Sequence, residues 1–280
     1  MKTESKVRMP AGPGKRLVPC PPLFVWSWAF TLVELLVVLG VIALLAALVL
    51  PALSKGKQTA LSAACRNNLK QLQTGFLSYG HDNYDLFPSN NYVYAANLDV
   101  LVLGASWAPG NALLDLSTSN LEQGSIFPYV PAAAVFHCPA DRSTTLNPAT
   151  GALQPRVRSY SMNIWLNSLL EPNGARSLGE ITGKPLSDVF VFIDTHQDSI
   201  GDAAFGIYQS NTRLVANYWL DTPADRHRQG ANLSFLDGHV ESWHWLAPKV
   251  FKVYSQMSKT GADRADLRRL QDALPPPRRR

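Results

Sequence analysis

Cysteine is scarce: Cys20, Cys65 and Cys138 are the three in 280 residues, and no two of them stand in CxxC spacing. That argues against a zinc site of the CxxC type and leaves material for one disulfide at most. Catalytic signatures are missing as well. Neither GxSxG nor HExxH occurs, no Ser-His-Asp or Cys-His pairing is defined by spacing, and Gly104 and the other scattered glycines build no phosphate loop. The expectation is that this is not an enzyme. Basic charge is absent from the body of the chain. The net charge of +5 divides into +4 in residues 1–29, +3 in Arg278 to Arg280 and −2 in everything between. A nucleic-acid binder concentrates Lys and Arg on its folded body, so nucleic acid is not an expected partner.

What the sequence does have is a long apolar run. Phe30 to Leu50 reads FTLVELLVVLGVIALLAALVL, with Glu34 its only charge. As a helix it spans roughly 30 Å, the thickness of a bilayer's hydrocarbon core. A buried core helix of this length shows a polar stripe, and beyond Thr31 and Glu34 there is none. The expectation is a single membrane-spanning helix contacting lipid. Basic residues from Lys2 to Arg16 precede it, which puts the N-terminus in the cytoplasm and sends the rest outward, although Lys55 and Lys57 soften the asymmetry. The run exceeds the h-region of an ordinary signal peptide, and no A-x-A site ends it. Glu34 is the oddity, because a carboxylate in hydrocarbon costs on the order of a few kcal/mol. Either it snorkels or protonates near the interface, or it meets a positive charge supplied by a neighbouring subunit.

The stretch Ala29-Phe30-Thr31-Leu32-Val33-Glu34-Leu35-Leu36 resembles the cleavage and methylation motif of type IV prepilins and type II secretion pseudopilins. The resemblance implies that a prepilin peptidase cuts between Ala29 and Phe30, that the new amino group of Phe30 is methylated, and that Glu34 pairs with the amino terminus of an adjacent subunit during assembly. Such a pair attracts far more strongly in low dielectric than in water. Ala29 stands where the family usually has Gly, and Pro21 to Ala29 is apolar where the family is polar. An uncut signal anchor over about residues 23–50 therefore stays open, and Met9 is an alternative start.

Past Pro51, which is compatible with a gentle kink, Leu61, Ala64, Cys65, Leu69, Leu72, Phe76 and Tyr79 recur at spacings of three and four. This predicts an amphipathic helix that stops near Gly80 to Asn83. Beyond it, short apolar runs punctuated by Gly, Pro, Asn, Asp and Ser predict loops and strands. The strand candidates are Asp188 to Asp194, Gly206 to Tyr208 with Leu214 to Tyr218, and Ala231 to Trp243. The last reads as a hairpin, with Asp237-Gly238 as a two-residue type I′ turn.

His227, nine residues, then Asp237-Gly238 also resembles the H-X9-DG group of prepilin-type proteins. Supporting segments are Cys65 to Leu72 (CRNNLKQL), Leu86-Phe87-Pro88, Phe136 to Asp141 (FHCPAD) and Ser159 to Asn163 (SYSMN), in the family's order. The resemblance names an architecture and a pathway more firmly than an activity. As a metal cluster, His227 with Asp237, His239 and Glu241 is disfavoured, since nothing in the sequence fixes His227 beside the hairpin. The stretch Asp194, His196, Asp198 and Asp202 leaves calcium open, because some pseudopilins bind it in a C-terminal loop, but it matches no EF-hand. Cys65 and Cys138 either form a disulfide on the outward side or remain two buried free thiols. Leu267, Leu270 and Leu274 share one face of a short charged helix that reads as part of a solvated basic tail.

The expected fold is thus α+β and pilin-like, a long N-terminal helix packed on a mainly antiparallel sheet. The domains are a leader (1–29), the long helix (30–83), a globular domain (84–261) and the tail (262–280). The expected function is a structural pseudopilin-like subunit in a bacterial inner membrane, with its C-terminal domain outside the cytoplasm. Its rival is an uncleaved anchored module that binds carbohydrate or protein. The seven tryptophans, among them Trp165, Trp219, Trp243 and Trp245, keep that rival in play.

Overall fold

The computed structural model describes residues 31–94 and 100–278. The chain divides into two units, Met1–Leu50 and Pro51–Arg280. The described part of the first is helical, and none of its residues is buried. It belongs to helix α1 (Leu32–Asp82), which continues through Pro51. Among the described residues this is the one helix long and apolar enough to cross a membrane.

In the second unit the chain forms β1 (Asn90–Tyr94), β2 (Val100–Ser106), β3 (Thr144–Leu146), β4 (Leu153–Pro155), β5 (Tyr160–Asn163), β6 (Phe190–Asp194), β7 (Ala204–Phe205), β8 (Tyr218–Trp219), β9 (Gly230–Phe235), β10 (Val240–His244), β11 (Gln256–Met257) and helix α2 (Gly261–Asp272). Five strands make the central sheet, in the order β10-β9-β6-β5-β7. Its pairings are antiparallel except β5 with β7. The fold is therefore α+β with a mixed sheet.

The sheet has a core on each face. The second half of α1 covers one, where Cys65, Leu69, Leu72 and Phe76 join Tyr160, Met162, Phe192 and Leu236. Helix α2 covers the other, where Leu267, Leu270 and Leu274 join Phe190, Phe205, Leu233, Phe235, Trp243 and Trp245. Side chains alternate along β9: Ala231, Leu233 and Phe235 point to the α2 core. Asn232 and Ser234 point instead to α1, where Ser234 Oγ donates to Gln73 Oε1 at 2.9 Å.

Several expectations change here. Residues 262–274 are not a solvated tail, because Leu267, Leu270 and Leu274 are buried. Thr260 caps α2 by accepting the Asp263 N–H at 3.0 Å. Lys249, itself buried, reaches Asp263 and Asp266 at 3.0 and 2.6 Å. Gly206 to Tyr208 and Leu214 to Tyr218 do not pair with each other: β7 ends at Phe205, and β8 pairs with the distant β11. The hairpin is present, but its turn has three residues. Val240 faces Ser234, the Phe235 N–H donates to the His239 carbonyl, and the Gly238 N–H donates back to Phe235. Gly238 alone in this loop has positive φ, +94°. Asp237 keeps negative φ while its carboxylate accepts the His239 N–H at 3.0 Å, so the loop is a type I turn closed by a glycine bulge.

Candidate functional site

Four segments far apart in sequence meet beside the second half of α1. Cys65 comes from the helix, Cys138 from the loop after the short 3-10 turn Ala133–Phe136, Asp194 from the end of β6, and His227 from the approach to β9. Their ligating atoms all lie within 4.8 Å of one another. Cys138 Sγ is 3.3 Å from His227 Nε2, which is 3.2 Å from Asp194 Oδ2. Cys65, Cys138 and Asp194 are fully buried.

A layer of polar groups holds this cluster. The Tyr160 hydroxyl, from β5, donates to Cys65 Sγ at 3.2 Å. Arg226 extends between Asp141 at 2.7 Å and Asp194 Oδ1 at 3.4 Å, and also donates to the Thr195 carbonyl. One turn along α1 from Cys65, Asn68 donates to the His137 carbonyl at 3.0 Å, fixing the strand of chain that carries Cys138. Arg226-His227 thus faces Asp141 and Cys138 pairwise, with Asp194 between them.

The electrostatics follow from burial and charge. Burial works against the His227 imidazolium, but the Asp194 carboxylate and the Cys138 contact outweigh it and raise the group to about 9. Burial raises the Cys138 thiol strongly. Burial also opposes the Asp141 carboxylate, yet Arg226 beside it holds it below the usual range.

The sequence-predicted residues are distributed as follows. Ala29, Phe30 and Cys20 lie outside the described residues. Glu34 sits in the first turn of α1, where it forms a capping box with Thr31: its carboxylate accepts the Thr31 N–H at 2.9 Å, and Thr31 Oγ1 accepts the Glu34 N–H at 3.2 Å. Cys65 and Cys138 are neighbours, and of the two states left open for them the structure holds free buried thiols. His227 belongs to this cluster, whereas His239 pairs with Asp237 and Glu241 on the hairpin. His227, Asp237, His239 and Glu241 are thereby split between two places. Asp237-Gly238 is nonetheless tied to α1, since Lys70 donates to the Gly238 carbonyl at 2.7 Å. The acidic stretch does not converge either. Asp194 faces the cysteines, exposed Asp198 lies 4.0 Å from Arg156, and Asp202 accepts the Ala204 N–H.

Asp194, Asp141, Arg226 and Tyr160 were not grouped from sequence. The available signal was that Tyr160 and Asp141 fall inside segments already singled out, and that Asp194 ends a strand candidate and opens the acidic stretch. No family model matches the chain, and no curated protein or solved structure matches it.

Proposed function

We propose that this chain is a membrane-anchored, pilin-like assembly subunit, processed by a prepilin peptidase before Phe30, N-methylated there, and assembled with other such subunits through its N-terminal helix. One observation carries the reading. Residues 32–50 of α1 are almost wholly apolar and unburied by the chain's own fold, while the same helix continues as the central core helix of the other unit. Apolar surface of that extent needs lipid or neighbouring helices to cover it. A helix shared between membrane and domain core lets subunits bundle by their N-terminal halves without disturbing the domains. In such a bundle in a bacterial inner membrane, with the domain outside the cytoplasm, Glu34 would exchange its capping contacts with Thr31 for a neighbour's ammonium group.

The rival, an uncut anchor bearing a ligand-binding domain, loses the support of its tryptophans. Trp165, Trp219, Trp243 and Trp245 are core residues. Three of these indoles donate inward, to the Ile207 carbonyl, Asp263 and the Ala224 carbonyl.

The test is the N-terminus of the membrane-extracted protein. An N-methylated Phe30 is expected, with cross-links between copies that disappear in Glu34→Ala although cleavage persists. A chain starting at Met1 or Met9 overturns the assembly reading in favour of the anchor.

A further inference from the structure

We propose that Cys65, Cys138, Asp194 and His227 together bind one zinc ion, in a closed structural site within Pro51–Arg280. The inference does not rest on the assembly reading, because all four residues lie in the globular unit and the site needs neither membrane nor neighbour.

The geometry comes first. A tetrahedral zinc ion with bonds of about 2.0–2.2 Å to N and O and about 2.3 Å to S sets its ligand atoms roughly 3.3–3.8 Å apart. The two edges through His227 Nε2, at 3.3 and 3.2 Å, already have that length, and no pair in the cluster exceeds 4.8 Å. Closing the widest edge takes a shift of about one ångström, within reach of side-chain rotation.

The donor set comes second. Two thiolates, an imidazole and a carboxylate suit zinc among the common divalent ions, whereas calcium and magnesium take oxygen donors. Asp194 supplies an independent sign. Its carboxylate is completely buried, and neither oxygen takes a hydrogen bond of proper alignment, although Arg226 and His227 stand at ion-pair distance. Those two pairs offset its charge, but the hydrogen-bonding capacity of both oxygens is left unused, which is what a coordinated cation would take up.

The surroundings come third. Metal ligands are usually oriented by surrounding polar groups, and such groups are present: the Tyr160 hydroxyl donates to Cys65 Sγ, and the Arg226 guanidinium stands at ion-pair distance from the Asp194 oxygen that faces away from His227. On binding, the two thiols and the imidazolium lose their protons to solvent. The ion, two thiolates and the carboxylate then sum to −1, with the Arg226 guanidinium alongside. With four protein donors and almost no exposure, the site leaves no open position for substrate. It would instead clamp α1 to the Cys138 loop, the end of β6 and the approach to β9.

A Cys65–Cys138 disulfide is the competing use of the same sulfurs. It accounts for two of the four residues and leaves the placing of Asp194 and His227 against the same sulfurs to their own ion pair. The experiment uses the full chain, purified in detergent with a reductant, without chelator and without a histidine tag. Elemental analysis is expected to find about one zinc per chain, and X-ray absorption about two sulfurs near 2.3 Å with two N or O donors near 2.0–2.2 Å. The absorption spectrum is taken on the unaltered protein, so it does not depend on any variant folding. Zinc is expected to fall at least tenfold in Cys138→Ala and in His227→Gln. Three results overturn the proposal: reduced protein that takes up no added zinc, zinc bound without sulfur, or a different metal in its place. A Cys65–Cys138 cross-linked peptide in the unreduced, metal-free protein would identify the disulfide as the actual state.

Discussion

The two faces of the central sheet are closed by different means. Towards α1 the surface carries polar positions: Asn232 and Ser234 on β9 meet Ser62 and Gln73, and beside them lie the two thiols, Asp194 and His227. Towards α2 the core is aliphatic and aromatic, and its main polar element is the buried ammonium of Lys249. That group stands over Trp219 and Trp245 at 5.1 and 5.4 Å and between Asp263 and Asp266. Hydrogen-bonded polar pairs specify how a helix is seated, whereas an apolar face mainly supplies driving force. The α1 face therefore fixes register, and the α2 face is a clamp whose one charged pin must stay paired.

Removing that pin should have the largest effect. Lys249→Ala leaves two buried carboxylates facing each other and is expected to cost about 3–5 kcal/mol in urea unfolding followed by tryptophan fluorescence. Next come Leu72→Ala on the α1 face and Leu270→Ala on the α2 face, each about 2–5 kcal/mol because both side chains are fully buried. If Leu270→Ala proved neutral while Leu72→Ala did not, α2 would be a loosely attached tail after all and the two-clamp comparison would fail.

A third kind of polar burial lies beside edge strand β7. Asp221 accepts from Ser199 Oγ at 2.8 Å and from the Gly206 N–H at 2.6 Å, yet burial pushes it up to about 7. Asp202 and Tyr254 are the titratable groups that face it, both raised mainly by their own burial and further by its charge, and Arg158 partly offsets Asp202. Because the folded value lies above the unfolded one, the native state holds this proton more tightly. Its stabilising effect is complete below about pH 4 and is lost as pH rises through 7. Asp221→Asn should match the parent near pH 4 and exceed it by about 4 kcal/mol at pH 8, in paired denaturation series. Equal slopes for the two proteins would show that the carboxyl titrates normally.

What was legible in the sequence followed local chemistry. The apolar run at 30–50 and the stripe through Leu69, Leu72 and Phe76 predicted α1, and the alternation in Ala231 to Trp243 predicted the hairpin. Local signals failed where the partner is distant. The leucine face of α2 was visible, but nothing nearby announced the underside of β9 that receives it or the buried Lys249 that pairs with Asp263 and Asp266. The cysteine, aspartate and histidine of the candidate site each sit on a different segment, so no spacing rule could collect them. The short strands β7 and β8 exist only through long-range pairing, which explains why their bounds were misplaced.

The hairpin turn gives the smallest effect and the cleanest contrast between backbone and packing. Added to Gly238, a Cβ would meet only Leu77 Cδ1 at 3.6 Å and Lys70 Nζ at 3.7 Å, which are ordinary contacts. Gly238→Ala should therefore cost only the positive-φ penalty, about 1–2 kcal/mol. At Gly230, in the same hairpin but with ordinary φ, a Cβ would lie 2.3 Å from the Trp243 carbonyl oxygen. Gly230→Ala must push β9 away from β10 and should cost clearly more, although its backbone dihedrals suit any residue. If the order were reversed, the Asp237-Gly238 bulge would be the stricter element of the hairpin, and the Lys70 contact that ties it to α1 would matter more than the strand pairing beneath it.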